Sequence, residues 1–327
     1  MERLLSVIVP CYNSEKTIKR CLDSIPNSEK VEIIIIDDCS TDNTKEIIEK
    51  YKRTSDKNII LHENSENSGP GISRNNGIRI STGKYITFLD SDDMFLDGYY
   101  EEIKKIMDNN YDVIVYNAKR LFNKCESELF MFFSNKIKPG KVDAKKALVF
   151  IKGCTCGKVY KSAMIKKNSI KFGDLRRNED SIFTKTAVSC SKNVFFIDKA
   201  LYLYIDNSTS LSNNDVLLDP KNIEIGFESV YNKLNKELFE EEINSLYYFQ
   251  MLYCLTISNL RSGKSKKEIR RIYKKCKKKY NKNDKYRKEY NFIYRFTCFL
   301  FDINAFGLYL LLRNLIVYKN KLKRGTL

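Results

Sequence analysis

The chain of 327 residues has no tryptophan and a single histidine, His62. Its ten cysteines are scattered, and none forms the Cys-x-x-Cys pair that is typical of zinc sites. These absences argue against a zinc cluster. With only one histidine in the chain, they also argue against Ser-His or Cys-His nucleophilic catalysis. Cysteines without a tight framework fit a reducing compartment. The N-terminus shows no signal-peptide pattern, so we expect a cytoplasmic protein.

The charge is distributed unevenly along the chain. There are 58 Lys and Arg against 41 Asp and Glu, a formal net charge of +17. Residues 261–327 hold 21 basic and 4 acidic residues, whereas residues 1–260 hold 37 of each sign. All the excess positive charge therefore lies in the last fifth of the chain, which marks a separate functional segment.

Strand-like and helix-like patterns alternate through the first part of the chain. Predicted strands cover residues 4–10, 31–37, 58–62, 85–89 and 112–117. Helical patterns separate them, at residues 14–25, 43–53, 71–81 and 97–109. Strands separated by helices of this length predict an α/β fold with a mostly parallel, doubly wound sheet and helices on both faces.

Length and composition predict one large domain with an appendage. Hydrophobic content of 43% and aromatic content of 12% suffice for a substantial core. Residues 118–215 show mixed patterns, with strands near 119–124, 128–133, 194–197 and 200–205, and helices near 143–150, 162–168 and 180–190. We predict a first domain over residues 1–215 and a helical C-terminal region over 216–327, basic and amphipathic from 261.

The most informative segment is KYITFLDSDD, residues 84–93. An apolar, β-branched run ends abruptly in Asp90, Asp92 and Asp93. Alternate residues of an extended chain point to one side, so Asp90 and Asp92 can face the same small volume. Two such carboxylates repel each other unless a cation lies between them, and Mg²⁺ binds through one or two carboxylates plus phosphate oxygens. The alternative is an acidic strand-to-loop turn.

Four other segments decide between these alternatives. They are VPCYN at 9–13, IDDCSTD at 36–42, NSGPG running on to SRNNG at 67–77, and NEDSIF at 178–183. In this order and spacing, with the DSDD cluster, they resemble the family 2 glycosyltransferases, nucleotide-sugar-dependent enzymes with the GT-A fold. The resemblance covers about residues 4–210. Cys39 stands where the family usually has glycine, and a tryptophan often found before the Glu-Asp element is missing.

The resemblance implies the following roles. The nucleotide-sugar would be bound by Pro10, Tyr12, Asn13, Asp38, Gly71, Arg74, Asp90 and Ser91. Asp92 would ligate Mn²⁺ or Mg²⁺, which stabilises the departing diphosphate as a Lewis acid. Asp38 would read the base, and Tyr12 would stack on it. Secondary candidates are Asp37, Asp93, Glu179 and Tyr204, the last with Tyr202 and Ser210 in an element that closes over the donor.

Several of these residues have structural alternatives. Asp37, Asp38 and Asp42 can terminate a strand and cap the next helix, and for Asp42 we favour that role. Asp93 can cap a turn before the helix at 97–109. Arg74, one turn into a helix whose N-terminus attracts anions, can contact the diphosphate or pair with Asp38 or Asp90.

Asp180 is the candidate general base. The family is mostly inverting, which requires one carboxylate to take the acceptor proton and no covalent intermediate. Glu179 would then orient the acceptor or hold the loop. The alternative is that Asp180 is an acid in the first turn of the helix at 180–190, where the helix dipole favours acids.

The C-terminal segment is basic from Lys264 to Lys288, and the apolar, aromatic stretch that follows is interrupted by charges. A spanning helix needs about 20 apolar residues. We therefore expect helices that lie in the interface of an anionic membrane, peripheral on its inner face. The alternatives are a solvated helix packed on the catalytic domain and a nucleic-acid-binding arm. No recognition fold supports a nucleic-acid partner.

The sequence thus predicts an inverting, metal-dependent hexosyl- or N-acetylhexosaminyltransferase of bacterial type. A UDP-sugar is the favoured donor, and the acceptor is a polyprenyl-diphosphate-linked or growing glycan in cell-surface polysaccharide synthesis. A nucleotidyltransferase is the rival enzyme, but the loop after the first strand lacks the Gly-rich, basic character of that class. The non-enzymatic rival is a membrane- or nucleic-acid-binding protein with a non-catalytic transferase fold.

Overall fold

A computed structural model describes most of the first 206 residues and part of the remainder. The described residues are 3–122, 124–132, 134, 136–173, 179–206, 239–246, 286–290, 292–309, 311–312 and single positions between 228 and 274. The chain divides into two compact units, one formed mainly by residues 1–207 and the other mainly by residues 208–327. The predicted domain boundary near 215–220 lies outside the described residues.

Four parallel strands build the first half of the sheet. They are β1 (Leu5–Cys11), β2 (Val31–Asp37), β3 (Asn58–Glu63) and β4 (Tyr85–Phe88), in the spatial order β3-β2-β1-β4. Every residue of β1, β2 and β4 is buried. Their continuous apolar runs suit strands that are covered on both faces. This half confirms the predicted parallel sheet.

The second half of the sheet is mixed. Its strands are β5 (Met94–Phe95), β6 (Val113–Phe122), β7 (Cys125–Leu129), β8 (Gly140–Val142), β9 (Lys158–Lys161) and β10 (Val194–Ile205). The order continues from β4 as β9-β6-β10-β5, while β7 pairs with β6 and β8 with β10. Strand β9 is antiparallel to both neighbours, and β6 and β10 are parallel.

Seven helices accompany these strands in the described part of the first unit. They are α1 (Ile18–Ser24), α2 (Thr44–Thr54), α3 (Pro70–Ile80), α4 (Tyr99–Met107), α5 (Ala144–Phe150), α6 (Ser162–Lys167) and α7 (Glu179–Cys190). Helix α3 begins with Pro70, directly after Gly69 at φ 86°. It packs tightly on β1, since a Cβ added at Gly77 would lie 2.4 Å from Ile8 Cγ2.

Some predicted elements were wrong in detail. The strand expected at 119–124 is the end of β6, and the two strands expected at 194–197 and 200–205 are one strand, β10, with register shifts after Ile197 and Ala200. Helix α1 begins four residues later than predicted. Strands β5, β8 and β9 were not predicted. All three are short, and β9 carries lysine at both ends, so they lack a clear period.

Among residues after 207, the described part of the second unit is mainly helical. It contains α8 (Glu240–Ser245), a 3₁₀ turn (Arg287–Glu289) and α9 (Phe292–Asp302). Two polar contacts fix it: the Tyr286 hydroxyl donates to Glu242 Oε1 at 2.6 Å, and the Tyr273 hydroxyl donates to Asp302 Oδ1 at 2.7 Å. Most of the helix predicted at 221–260 lies outside the described residues. Among those described, no helix has the length and apolar character that crossing a bilayer requires.

Candidate active site

The candidate site lies where three parallel strands end side by side. Strands β2, β1 and β4 are neighbours and parallel, so the loops that follow Asp37, Cys11 and Phe88 emerge at one edge of the sheet. In open α/β sheets, ligands bind at the carboxyl ends of the strands. The topology therefore brings three of the five sequence motifs together.

Side-chain hydrogen bonds join these loops to one another. Asn13 has a φ of 48°. Its side-chain Oδ1 accepts a hydrogen bond from the Thr41 backbone amide at 2.8 Å, and its backbone amide donates to Ser40 Oγ at 3.0 Å. The Ser14 and Ser91 hydroxyls lie 2.8 Å apart, which connects the first loop to the DSDD loop. Asn13 and Ser91 therefore connect the loops at this edge of the sheet, in addition to the donor-binding role predicted for them.

The loop after β2 keeps a left-handed residue at its centre. Cys39 has φ 64°, a conformation that glycine adopts without strain. Asp37 is buried and accepts hydrogen bonds from the amide and hydroxyl of Ser40, which closes the turn around Cys39. The buried Asp37 therefore shapes this loop. Asp42 Oδ1 accepts from the Thr44 amide at 3.0 Å, in agreement with its predicted capping role.

Asp38 is held by the segment that precedes α3. Its Oδ1 accepts from Asn64 Nδ2 at 2.7 Å and from the Ser68 amide at 2.9 Å, and its Oδ2 accepts from the Gly69 amide at 2.7 Å. A carboxylate oxygen has two lone pairs, so Oδ2 retains one for a further donor. The role of Asp38 in reading the base remains a prediction. Beside it, Pro10 is buried, whereas Tyr12 is 47% exposed.

The three carboxylates of the DSDD loop differ in their surroundings. Asp90 faces Arg74, and Asp92 is half-buried with its backbone carbonyl accepting from Arg20 Nη2 at 2.7 Å. Asp93 is fully buried. Its oxygens accept from the Tyr202 hydroxyl at 2.7 Å and the Ile205 amide at 2.8 Å, so it ties the loop to β10. Burial, together with the charges of the other two carboxylates, raises the pKa of Asp93.

Arg74 on α3 is the centre of the site. Its guanidinium lies 2.7 Å from Asp90 Oδ1, 3.0 Å from Asp180 Oδ1 and 3.5 Å from Glu179 Oε1, and the residue is only 4% exposed. The Phe172 ring lies 5.4 Å from the guanidinium carbon. Of the partners foreseen for Arg74, the structure therefore brings Asp90 against it, and adds two carboxylates from a distant motif.

Asp180 and Glu179 form the first turn of α7. Burial raises the pKa of Asp180, and the nearby Arg74 opposes this increase. Burial and the charge of Asp180 raise the pKa of Glu179 to about 7, again against the effect of Arg74. The Asp180 side chain is still 30% exposed, so it can meet a substrate. A base with a raised pKa, accessible to solvent, suits proton abstraction near neutral pH.

Two glycines allow α7 to approach the rest of the site. A Cβ added at Gly71 would lie 3.2 Å from Glu179 Cγ, and one added at Gly153 would lie 2.5 Å from Ser181 Oγ. The loop after Gly153 also supplies the Thr155 amide as a hydrogen-bond donor to Asp180. The contribution of this loop was not predicted, because nothing in its local sequence indicates its distance from Asp180.

The closing element is only partly described. Tyr202 lies on β10 and bonds to Asp93, and Tyr204 lies two residues further on the same strand. Ser210 lies outside the described residues. Among the described residues, no group of three or more His, Cys, Asp or Glu side chains could hold a metal ion. The hard oxygens of Asp92 and Asp90 suit Mg²⁺ or Mn²⁺, which need only one or two carboxylates when phosphate oxygens and water complete the shell.

Comparison with known proteins identifies the family. The Glycosyl transferase family 2 profile matches residues 6–163. The chain is 29% identical to a poly(ribitol-phosphate) beta-glucosyltransferase of Bacillus spizizenii over 72% of its length, and 26% identical to the Staphylococcus aureus poly(ribitol-phosphate) beta-N-acetylglucosaminyltransferase TarS over 76%. It spans 38% and 42% of the length of these two relatives.

The fold agrees with that of a solved relative. The structure of S. aureus TarS 1–349 in complex with UDP-GlcNAc superimposes with a TM-score of 0.63 at 27% identity, over 74% of this chain and 71% of that one. The mixed, mostly parallel sheet flanked by helices is that of the GT-A fold. The predicted fold is confirmed, and so is the predicted family for the segment that the family model covers: residues 6–163 of this chain match glycosyl transferase family 2.

Proposed function

We propose that this protein transfers a sugar from a nucleotide-sugar donor to a glycan acceptor, with inversion at the transferred carbon. The observation that carries the proposal is the single buried guanidinium of Arg74, which joins the DSDD loop to the Glu179–Asp180 pair. A donor-binding loop and a base are thereby held on opposite sides of one cation. Glycosyl transfer without a covalent intermediate needs this pair of functions.

The donor nucleotide would occupy the edge of the sheet. The exposed ring of Tyr12 can stack on a base, and Asp38 Oδ2 has a lone pair for an N–H group of uracil. A UDP-sugar is favoured because TarS, which is similar to this chain, was solved with UDP-GlcNAc. Asp92, supported by Asp90, would hold Mn²⁺ or Mg²⁺. When bound, the ion would supply charge stabilisation of the departing diphosphate.

Asp180 would remove the acceptor proton. Its carboxylate is partly exposed and is held by Arg74 and the Thr155 amide, so its orientation is fixed before the acceptor arrives. Glu179 would orient the acceptor or hold the loop, and its close approach to Gly71 links it to the donor side. Arg74 limits the charge repulsion among the three carboxylates and favours the ionised form of Asp180, against the effect of burial.

The acceptor would be a lipid-linked or growing glycan of a bacterial cell-surface polysaccharide. Two relatives are poly(ribitol-phosphate) glycosyltransferases by name, which supports a cell-surface polymer as the class of acceptor. The charge of +17 in residues 261–327 supports a position at the anionic inner face of the cell membrane. There, a polyprenyl-diphosphate-linked acceptor is within reach.

The decisive experiment measures binding and turnover across UDP-, GDP- and dTDP-sugars with and without Mn²⁺. We compare the wild type with Asp92→Ala, Asp180→Asn and the exposed control Asp97→Asn. The proposal expects one donor to be selected and Asp92→Ala to lose metal-dependent binding. Asp180→Asn should keep donor binding but lose about 10²–10⁴-fold in transfer rate, while Asp97→Asn matches the wild type.

The same experiment tests the rival function. A membrane- or nucleic-acid-binding protein with a non-catalytic transferase fold would bind no donor with or without metal. That result would overturn the catalytic proposal and leave the basic C-terminal segment as the functional part of the chain.

A further inference from the structure

Helix α9 exposes one apolar face to solvent. Phe292 is 74% exposed, Phe296 37% and Phe299 50%, whereas Leu300 is buried. Residues at i, i+4 and i+7 lie on the same side of a helix. The three rings are stacked in sequence, with centroids 5.7 Å and 6.4 Å apart. We call the exposed side chains of Phe292, Phe296, Phe299 and Ile303 the aromatic face.

This exposure is concentrated in one short stretch. Nine large hydrophobic side chains are exposed among the described residues, and six of them lie between residues 292 and 311. Besides the aromatic face, these include Leu308 and Leu311. Scattered exposed hydrophobic residues need no explanation, but a run of them on one surface marks a site of interaction.

Positive charge surrounds the aromatic face in sequence. Residues 261–327 have a net charge of +17, and Arg295 of α9 itself is exposed. Other exposed basic residues in the described part of this segment are Lys267, Arg270, Arg271, Lys274 and Lys288. A second copy of the chain would bring a segment of the same positive charge next to the aromatic face, and the two segments would repel each other. A phospholipid bilayer fits both features, because its anionic headgroups attract the basic residues and its apolar interior accepts the aromatic side chains.

The length of α9 fixes the mode of binding. Its 11 residues span about 16 Å, roughly half the 30 Å of a bilayer's hydrocarbon core. The helix is therefore too short to cross the bilayer and suits an orientation parallel to the membrane plane. We propose that α9 docks on anionic membranes as an interfacial helix, with its aromatic face inserted at the boundary between headgroups and acyl chains.

The inference rests on the proposed function only for the membrane concerned, the inner face of the cell membrane, because the docking surface consists of residues of α9 and its C-terminal end alone. The absence of tryptophan from the chain allows a direct test. In Phe299→Trp, the new side chain is the sole indole and reports its own environment. Vesicles of phosphatidylcholine with 30% phosphatidylglycerol should shift its emission to the blue, and lipids brominated along the acyl chain should quench it. Pure phosphatidylcholine should do neither.

The matched control is Phe130→Trp, which places the indole at another exposed aromatic position, 56% exposed and in the first unit. It should show neither shift nor quenching. A blue shift of Phe299→Trp without lipid that grows with protein concentration would assign the face to self-association and overturn the proposal. Emission unchanged by anionic vesicles would overturn it as well.

A second set of variants measures the contribution of the face to binding. The triple variant Phe292→Ser, Phe296→Ser, Phe299→Ser should bind the anionic vesicles roughly 10–100-fold more weakly, with Phe130→Ser unchanged. Binding of the donor nucleotide in solution should be the same in all of them, which separates a failure of this inference from a failure of the proposed transferase. Equal vesicle binding by the triple variant and wild type would contradict the inference.

Discussion

Arg74 contacts carboxylates that come from two motifs 90 residues apart in the chain, Asp90 on one side and Glu179 with Asp180 on the other. A buried guanidinium can serve several carboxylates because its donors form a rigid, planar fork. Burial alone would lower the pKa of Arg74, and the charges of Asp180 and Asp90 more than reverse that effect. The arginine is therefore charged throughout the working range of pH.

Replacement of Arg74 by methionine should destabilise the protein strongly at alkaline pH. The change leaves three carboxylates close together without a counter-charge, which costs about 3–5 kcal/mol in similar buried clusters. At pH 5 the loss should be smaller, because the raised pKa values of Glu179 and Asp180 let them take up protons. Urea unfolding at both pH values measures the difference. The control is Arg79→Met, on the exposed side of α3, and an equal loss at pH 5 and pH 8 would contradict this account.

Glu179 should make the stability of the folded protein depend on pH. Its pKa rises from 4.5 to about 7 on folding, chiefly through burial, so the folded state favours the protonated form. The stability due to this preference is complete below pH 4.5 and is lost as the pH rises through about 7. Glutamine stays neutral. Glu179→Gln should therefore match the wild type near pH 4.5 and exceed its free energy of unfolding at pH 8, by on the order of 2–3 kcal/mol.

Denaturant titrations from pH 4.5 to pH 8 follow that difference. The exposed carboxylate Glu101 on α4 offers the control Glu101→Gln, for which no trend is expected. A constant difference between Glu179→Gln and wild type across the range would show that the carboxyl titrates as an ordinary glutamate.

The identities of the site residues followed from their motifs, but their contacts did not. The pairing of strands placed Asn13, Asp38 and Asp90 at one edge, as a parallel sheet requires. The hydrogen bond from the Tyr202 hydroxyl to Asp93 could not be predicted from the sequence, because it depends on where β10 lies in the sheet. Residues that meet across 100 positions leave no local pattern.

At the scale of elements, sequence patterns located the fully buried apolar strands β1, β2 and β4 and missed the short strands β5, β8 and β9. Strand β9 is the clearest case, because it begins with Lys158, a fully buried lysine. Its ammonium donates to the carbonyl oxygens of Cys154 at 2.6 Å and Cys156 at 3.1 Å, which satisfies the charge inside the fold. A lysine normally indicates an exposed position, so the pattern pointed away from a central strand.

Helix α3 depends on a close approach to β1 that only glycine permits. A Cβ at Gly77 would lie 2.4 Å from Cγ2 of Ile8 and 3.2 Å from both its Cγ1 and Cδ1. Gly77→Ala should therefore destabilise the protein by about 1–3 kcal/mol. It should also weaken donor binding, because the helix that shifts carries Arg74.

The double variant Gly77→Ala, Ile8→Ala isolates the contact, since alanine at position 8 lacks all three of the crowding atoms. Its loss of stability should be smaller than the sum of the two single losses, by about 1 kcal/mol or more. Strict additivity would show that the helix relaxes away from β1 without cost. Gly69→Ala is the control for backbone effects, as φ is 86° there and no atom lies within 4 Å of the added Cβ.

At the scale of the whole molecule, charge and apolar surface coincide in the same part of the chain. Residues 1–260 are electrically balanced, and residues 261–327 hold both the excess charge of +17 and the aromatic face. The positions of the charged residues in the sequence predicted this charge segregation. The aromatic face could not be predicted in the same way, because it depends on which side of α9 is left exposed in the fold. The two features attract a membrane by different physical means, and these means respond differently to salt.

Raising the salt concentration should separate them. Attraction between basic residues and anionic lipid is screened as the Debye length falls from about 10 Å at 0.1 M to about 3 Å at 1 M. Insertion of phenylalanine is an apolar transfer that salt does not weaken. Wild-type affinity for the 30% phosphatidylglycerol vesicles should therefore fall about tenfold or more between 0.1 M and 0.5 M salt.

The vesicle affinities of two variants should depend on salt concentration in different ways. The triple phenylalanine variant should bind more weakly at every salt concentration but with the same dependence, since its charges are intact. Lys267→Ala, Arg270→Ala, Arg271→Ala should instead show a shallower dependence, since these exposed bases supply part of the screened attraction. Vesicle co-sedimentation across the salt series measures both. If the phenylalanine variant lost its salt dependence, the two features would form one coupled site rather than act as independent contributions to docking.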